Sequence, residues 1–213
     1  MAKVKVKICG ITNWRDARLA CAEGANFIGL NFYVRSPRYI PPAKARRIVK
    51  RLPRGVAAVG VFVNEDEAKL LAIARRVGLD FIQMHGDEVP SAIDRIRESL
   101  PVIRAVRVNS DFRPRQLLQF RHAAAILLDG FDPRLRGGTG KTFDWSVARR
   151  TKSRPRIFIA GGLTPENIGR AIRVARPYAV DICSGVEASP GKKDARKLKR
   201  LMQEIRAAEK KTR

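Results

Sequence analysis

Short apolar runs alternate with longer segments of helical periodicity along the chain. The first run, Val4-Lys5-Val6-Lys7-Ile8, alternates apolar and basic residues and stops at Cys9-Gly10. Thr12-Asn13 then opens a helical pattern over residues 13–23, with Asn13 as its cap and Asp16 in its first turn. Seven further β-favouring runs follow, at 27–32, 57–63, 81–85, 102–108, 124–129, 157–160 and 179–183. Between them, helices are predicted over 41–51, up to Val77, over 90–99 and 112–121, after Asp144 and after Thr164-Pro165. A basic terminal helix is predicted at about 192–210. Asn64 and Glu67 have the spacing of a capping box, and Thr164-Pro165 that of an N-cap followed by proline at the first helical position. Ile168, Ala171, Ile172 and Ala175 give one helix a buried face, and Leu198, Leu201, Met202 and Ile205 do the same for the terminal helix.

Eight strand-then-helix units with short connections and no Pro/Ser-rich linker predict an α/β protein, a single (β/α)8 barrel spanning residues 1–213. An open doubly wound sheet is the alternative. That fold places a glycine-rich fingerprint after its first strand, where this chain has Cys9-Gly10-Ile11-Thr12. Its glycine turns, Gly161-Gly162 and Ser184-Gly185, come instead after the last two strands, where barrels hold phosphate.

In such a barrel the carboxyl ends of all strands meet at one mouth, so chemistry is sought there. The strand-end residues include Cys9, Asn31, Gln83, His85, Asp129, Asp181 and Ser184, with Arg38 in the second βα loop. A thiol at Cys9 is either a small core hydrophobe or a reactive group. Asp129 follows four apolar residues, a setting of partial desolvation that favours a protonated carboxyl, and equally a turn-forming Asp before Gly130. Gly161-Gly162 beside Thr164-Pro165 offers backbone N–H groups at a helix start, and Ser184-Gly185 directs a second set to the same place. Arg38 has the fork for a carboxylate, with a solvated surface arginine as the plainer reading. His85, Gln83, Asn31 and Asp181 read as polar wall residues. No cluster has metal-ligand spacing, so no metal is expected. Gly137-Gly138-Thr139-Gly140-Lys141 has the wrong spacing for a P-loop and is expected to form a mobile lid.

Charge adds one question. The chain carries 44 Lys and Arg against 20 Asp and Glu, a formal net charge of +24, which attracts polyanions. The basic residues spread over almost every helix, and residues 192–213 lack interleaved aromatics, so no specific nucleic-acid partner is expected. No apolar stretch approaches the roughly 20 residues that span a bilayer, and none resembles a signal-peptide core. Three unevenly spaced cysteines suit reduced thiols. These features predict a cytoplasmic protein without membrane contact, as monomer or homodimer.

The motifs together carry a resemblance. Lys7-Ile8-Cys9-Gly10-Ile11-Thr12, Ser36-Pro37-Arg38-Tyr39, Gly60-Val61-Phe62-Val63-Asn64, Gln83-Met84-His85-Gly86, Leu127-Leu128-Asp129, residues 137–145, residues 161–167 and residues 181–187 occur in the order seen in phosphoribosylanthranilate isomerases of tryptophan biosynthesis. The resemblance implies a cofactor-free (β/α)8 barrel that performs an Amadori rearrangement on a phosphorylated small molecule, N-(5-phosphoribosyl)anthranilate. It makes Cys9 the general base and Asp129 the general acid. It assigns Arg38 to the anthranilate carboxylate and the amides around Gly161, Gly162, Ser184 and Gly185 to the phosphate, with His85 and Asp181 beside the substrate. Cys183 stands where the family usually has Ser. The related sugar isomerase of histidine biosynthesis uses a carboxylate at the end of its first strand, where this chain has Cys9.

Overall fold

Eight parallel strands close into a barrel in sequence order, β1 (Lys5–Ile8), β2 (Phe27–Asn31), β3 (Ala57–Phe62), β4 (Phe81–Met84), β5 (Val102–Val108), β6 (Ala125–Gly130), β7 (Arg156–Ile159) and β8 (Ala179–Ile182). The computed structural model describes residues 3–130, 143–151 and 156–210. The glycine-rich segment 137–141, expected to form a lid, lies outside the described residues. Closure is made by β8 against β1, with Lys7 opposite Asp181 and Ile8 opposite Ile182.

Both faces of every barrel strand are covered, which is why the runs read as nearly continuous apolar sequence. Facing the helices, Val6, Ile8, Ile28, Leu30, Ala58, Ile82, Leu128 and Val180 join one large core. Facing inward, Phe27, Val59, Ile103, Leu127, Phe158 and Ala179 fill the barrel. Phe27 anchors that filling, its ring centroid 5.8 Å from Phe81 and 5.4 Å from Phe158.

The outer layer contains α1 (Trp14–Glu23), α2 (Pro42–Val49), α3 (Glu67–Val77), α4 (Pro90–Ile96), a 3-10 helix (Pro114–Phe120), α5 (Ser146–Arg150), α6 (Ile168–Ala175) and α7 (Ala195–Lys210). Asn13 caps α1 as expected, its Oδ1 accepting from the Asp16 N–H at 2.9 Å. Ile168, Ala171, Ile172 and Ala175 are buried along α6, and Leu198, Leu201, Met202 and Ile205 along α7. No helix among the described residues is long and apolar enough to cross a membrane.

Four local expectations are corrected. Asn64 and Glu67 do not form a capping box: Asp66 caps α3 by accepting from the Lys69 N–H. Asn64 instead turns left-handed at φ +50° and accepts from the Asp87 N–H at 2.7 Å, lacing two mouth loops together. The segment after β5 winds as a 3-10 helix rather than an α-helix. Thr164 does not cap α6, because Asn167 folds back to the Thr164 N–H and the Gly162 carbonyl and delays the helix to Ile168. Finally, Lys192–Lys193 forms β10, paired with β9 (Glu187–Ser189), and α7 starts only at Ala195.

Candidate active site

At the carboxyl ends of the strands a cavity of about 580 Å³ opens, lined by Cys9, Arg38, His85, Asp129, Gly161, Gly162, Asp181, Cys183 and Ser184. The structure thus gathers every candidate residue except Gly185 around one space. Gly185 lies behind its wall: a Cβ there would stand 1.9 Å from the Leu163 carbonyl oxygen, so the loops after β7 and β8 are in backbone contact. A larger cleft of about 880 Å³ beside Val108, Phe112 and Phe143 contains none of the candidates.

Cys9 follows the last residue of β1 and is fixed by its N–H donating to the Ile182 carbonyl at 2.8 Å. Asp129, 5% exposed, is the penultimate residue of β6. His85 bridges strands at the mouth: Gln83 Nε2 donates to His85 Nδ1 at 3.0 Å, and His85 Nε2 donates to Asp129 Oδ2 at 3.2 Å. That arrangement places the imidazole proton on Nε2. It leaves Asp129 Oδ1 as the oxygen presented against Gly161. Gly161 has φ +81°, and a Cβ on it would come within 2.8 Å of Oδ1 and 2.4 Å of the Gly130 N, so the turn after β7 closes onto the carboxylate only because side chain is absent.

Arg38 is not a solvated surface residue. Its Nε and Nη2 fork onto the Glu187 carboxylate at 2.7 to 3.1 Å, and Glu187 also takes a 3.0 Å bond from the buried Lys193 ammonium. The clamp ties the loop after β2 to the arm after β8 and leaves Nη1 for a further partner. Burial pushes Glu187 up, but Arg38 and Lys193 outweigh it and hold the carboxyl below its ordinary range. Asp181 takes both its oxygens to the Lys7 ammonium, at 2.9 and 3.0 Å, inside the barrel.

Lys7, Lys193 and Glu187 are the site residues that motif reading misses. Lys7 carried a weak signal, being two positions before Cys9 and therefore on the same strand face. Glu187 closes the 181–187 motif, but nothing local there gives it a role, and Lys193 lies in the small hairpin beyond β8 outside every motif.

The electrostatics of the mouth follow from these contacts. The Cys183 thiol beside Cys9 favours its thiolate, burial opposes that, and the Lys7 and Lys193 ammonium groups favour it, so the Cys9 thiol sits well below its ordinary value. Cys183 moves the other way, pushed up by the neighbouring Cys9 and by burial. Burial pushes Asp181 up to about 7 against the pull of Lys7, with the Cys9 charge adding to the rise. Burial would lower Lys7, but Asp181 and Cys9 outweigh it and its value is raised.

A (β/α)8 barrel whose mouth sets a thiolate-prone cysteine and a carboxylate around one cavity, with glycine turns after β7 and β8, defines an acid–base isomerase of phosphorylated sugars. The family model described as N-(5'-phosphoribosyl)anthranilate isomerase matches residues 6–204, and the chain belongs to that family. It is 45% identical over 206 residues to the isomerase of that name from Trichlorobacter lovleyi, covering 96% of this chain and 99% of the relative. Against the one from Thermotoga maritima it is 48% identical over 192 residues, covering 90% and 93%. A crystal structure of phosphoribosyl anthranilate isomerase from Thermotoga maritima superposes with a TM-score of 0.89 at 45% identity, over 96% of this chain and 99% of that one. A related crystal structure, TM-score 0.85 at 43% identity with the same coverage, is a complex with reduced 1-(o-carboxyphenylamino)-1-deoxyribulose 5-phosphate.

Proposed function

We propose that this chain converts N-(5-phosphoribosyl)anthranilate into 1-(2-carboxyphenylamino)-1-deoxyribulose 5-phosphate in tryptophan biosynthesis, with Asp129 as general acid and Cys9 as general base. The observation that carries this reading is that the thiol and the carboxylate line one cavity from β1 and β6, each with a geometry suited to its part. Asp129 Oδ1 delivers its proton to the ribose ring oxygen, the C1–O bond breaks, and the nitrogen lone pair forms the Schiff base. The Cys9 thiolate then removes the C2 proton, and the electron pair left behind neutralises the iminium to give the enolamine. Tautomerisation to the ketone completes the rearrangement, so no external oxidant or cofactor enters the balance.

The remaining residues hold the substrate. Phosphate lies against the backbone amides around Gly161, Gly162, Ser184 and Gly185, and Arg38 Nη1 faces the anthranilate carboxylate while its other nitrogens stay on Glu187. His85 orients Asp129 through Nε2. Asp181 acts beneath the substrate through Lys7. All of these groups come from one chain, so a monomer or each half of a homodimer has a complete site. A cytoplasmic location suits a base that works only as a reduced thiol.

The test is direct: Cys9→Ala and Asp129→Asn should each lower kcat with phosphoribosylanthranilate by about 10²- to 10⁴-fold while the circular-dichroism spectrum is unchanged. Full turnover by either folded variant would remove its residue from the mechanism.

A further inference from the structure

Among the described residues the floor of the barrel is apolar, and its inward polar side chains gather toward the mouth, where Lys7 and Asp181 lie with Asn31, Gln83 and Asp129. Lys7 has no solvent exposure, and inward neighbours such as Phe27, Val59, Leu127 and Phe158 form a hydrophobic filling below it. A lysine and an aspartate facing each other there do not outdo a well-packed apolar pair in stability, because desolvating both charges offsets most of their attraction. Their presence asks for a use.

Gly29 shows what the ammonium reaches. A Cβ on Gly29 would stand 2.9 Å from Lys7 Nζ and 2.8 Å from Cys9 Sγ, so both atoms fill the space that this glycine leaves open on β2. Cys9, two residues after Lys7, continues the β1 ladder through its N–H to Ile182, so the two side chains project to the same side. The ammonium has three N–H donors. Asp181 Oδ1 and Oδ2 accept from it at 3.0 and 2.9 Å, and the ammonium shares the space above Gly29 with the sulfur.

Resting on the assignment of Cys9 as base, we propose that Lys7 is a positioning residue that holds Cys9 as a thiolate aimed into the cavity, with Asp181 fixing the ammonium in place. One cation then serves two acids. When the sulfur is charged it competes with Asp181 for the same ammonium, adding to the burial that chiefly pushes Asp181 up. The other charged or titratable groups around the sulfur are Cys183 on the β8 side, Lys193 in the hairpin and Arg38 in the loop after β2, with Asp129 across the mouth. Arg38 and Lys193 share Glu187 as their counter-ion, whereas Lys7 approaches from beneath, out of reach of solvent and substrate.

The experiment compares Asp181→Asn with Lys7→Met/Asp181→Asn, a pair that differs only in the ammonium and leaves no buried carboxylate stranded. Cys9 alkylation by iodoacetamide is followed from acid to alkaline pH, with the modified peptide quantified by mass spectrometry, next to the pH dependence of kcat/KM and to KM itself. The inference expects the alkylation midpoint of the double variant to rise by at least about one pH unit, equivalent to a tenfold smaller thiolate fraction below the midpoint. The ascending limb of kcat/KM should move with it, and KM should stay within about twofold. In Asp181→Asn alone the midpoint should hold or fall, opposite in sign to the double variant. Equal midpoints in the two folded variants would overturn the role of Lys7. Full activity of Cys9→Ala would instead overturn the assignment of the base, and the two failures are distinguishable because alkylation reads the sulfur without turnover.

Discussion

The contact between the loops after β7 and β8 makes a quantitative demand. Gly185→Ala introduces a Cβ 1.9 Å from the Leu163 carbonyl oxygen, 2.9 Å from the Leu163 carbonyl carbon and 3.1 Å from Thr164 Cα. These are backbone atoms, so no side-chain rotation relieves the clash. A carbon–oxygen contact needs roughly 3.3 Å, so the two loops must part by about 1.4 Å. Gly185 does not have a left-handed φ, and the perturbation is therefore steric and free of backbone strain. Forced overpacking of this kind costs about 1 to 3 kcal/mol, which a barrel of this size can absorb while remaining folded. The same displacement moves the amides proposed to hold phosphate, and a misplacement of about 1 Å typically costs about 10²-fold in catalysis. Steady-state kinetics with phosphoribosylanthranilate should therefore show kcat/KM reduced about 100-fold with KM raised, and inorganic phosphate tested as a competitor should bind more weakly in parallel. Urea denaturation reports the stability. A folded Gly185→Ala enzyme with unchanged KM would refute the phosphate grip between these two loops.

Further outcomes follow from the buried charges. Glu187→Ala strands Arg38 and the fully buried Lys193, so urea denaturation should show a loss of about 3 to 5 kcal/mol, much larger than for an exposed pair such as Glu67 with Arg95. Asp181 titrates near 7 in the fold and near the ordinary carboxyl value of about 4 when unfolded, so the folded chain holds the extra proton between those limits. Its contribution is therefore greatest below that window and declines as pH rises through it, so wild type should lose more stability than Asp181→Asn between about pH 5 and pH 7.5. An identical loss in both proteins would contradict this linkage. Because Cys9 is held below the ordinary thiol range, kcat/KM should climb on the acid side with a midpoint below about 8.5, and an ascending limb at or above that value would contradict the thiolate.

The barrel was legible because its strands are short, apolar and regularly separated by helical periodicity. That Cys9, Asp129 and the glycine turns lie at the mouth was legible because strand ends announce themselves by a change of residue type, whereas the roles proposed for them came from the resemblance. Lys7 was hidden by the same logic. In a sheet with one wet face, Val-Lys-Val-Lys means that lysine points to water, but a barrel strand has no wet face and Lys7 is turned inward. Its counter-ion, Asp181, is 174 residues away, beyond any local pattern. The Arg38–Glu187 clamp was unreadable for the same reason. Asn64 was misread because its side chain satisfies the next loop and not its own helix.

The pairing of β1 with β8 has a consequence for how the enzyme comes into being. Lys7 is synthesised 174 residues before the carboxylate that neutralises it. Until β8 docks, sealing Lys7 in the interior would bury an uncompensated charge, so premature closure around a partial barrel is disfavoured. The sulfur two residues away gains its finished surroundings in that same docking step. On the proposed roles of Lys7 and Cys9, completion of the fold and arming of the base are then one event.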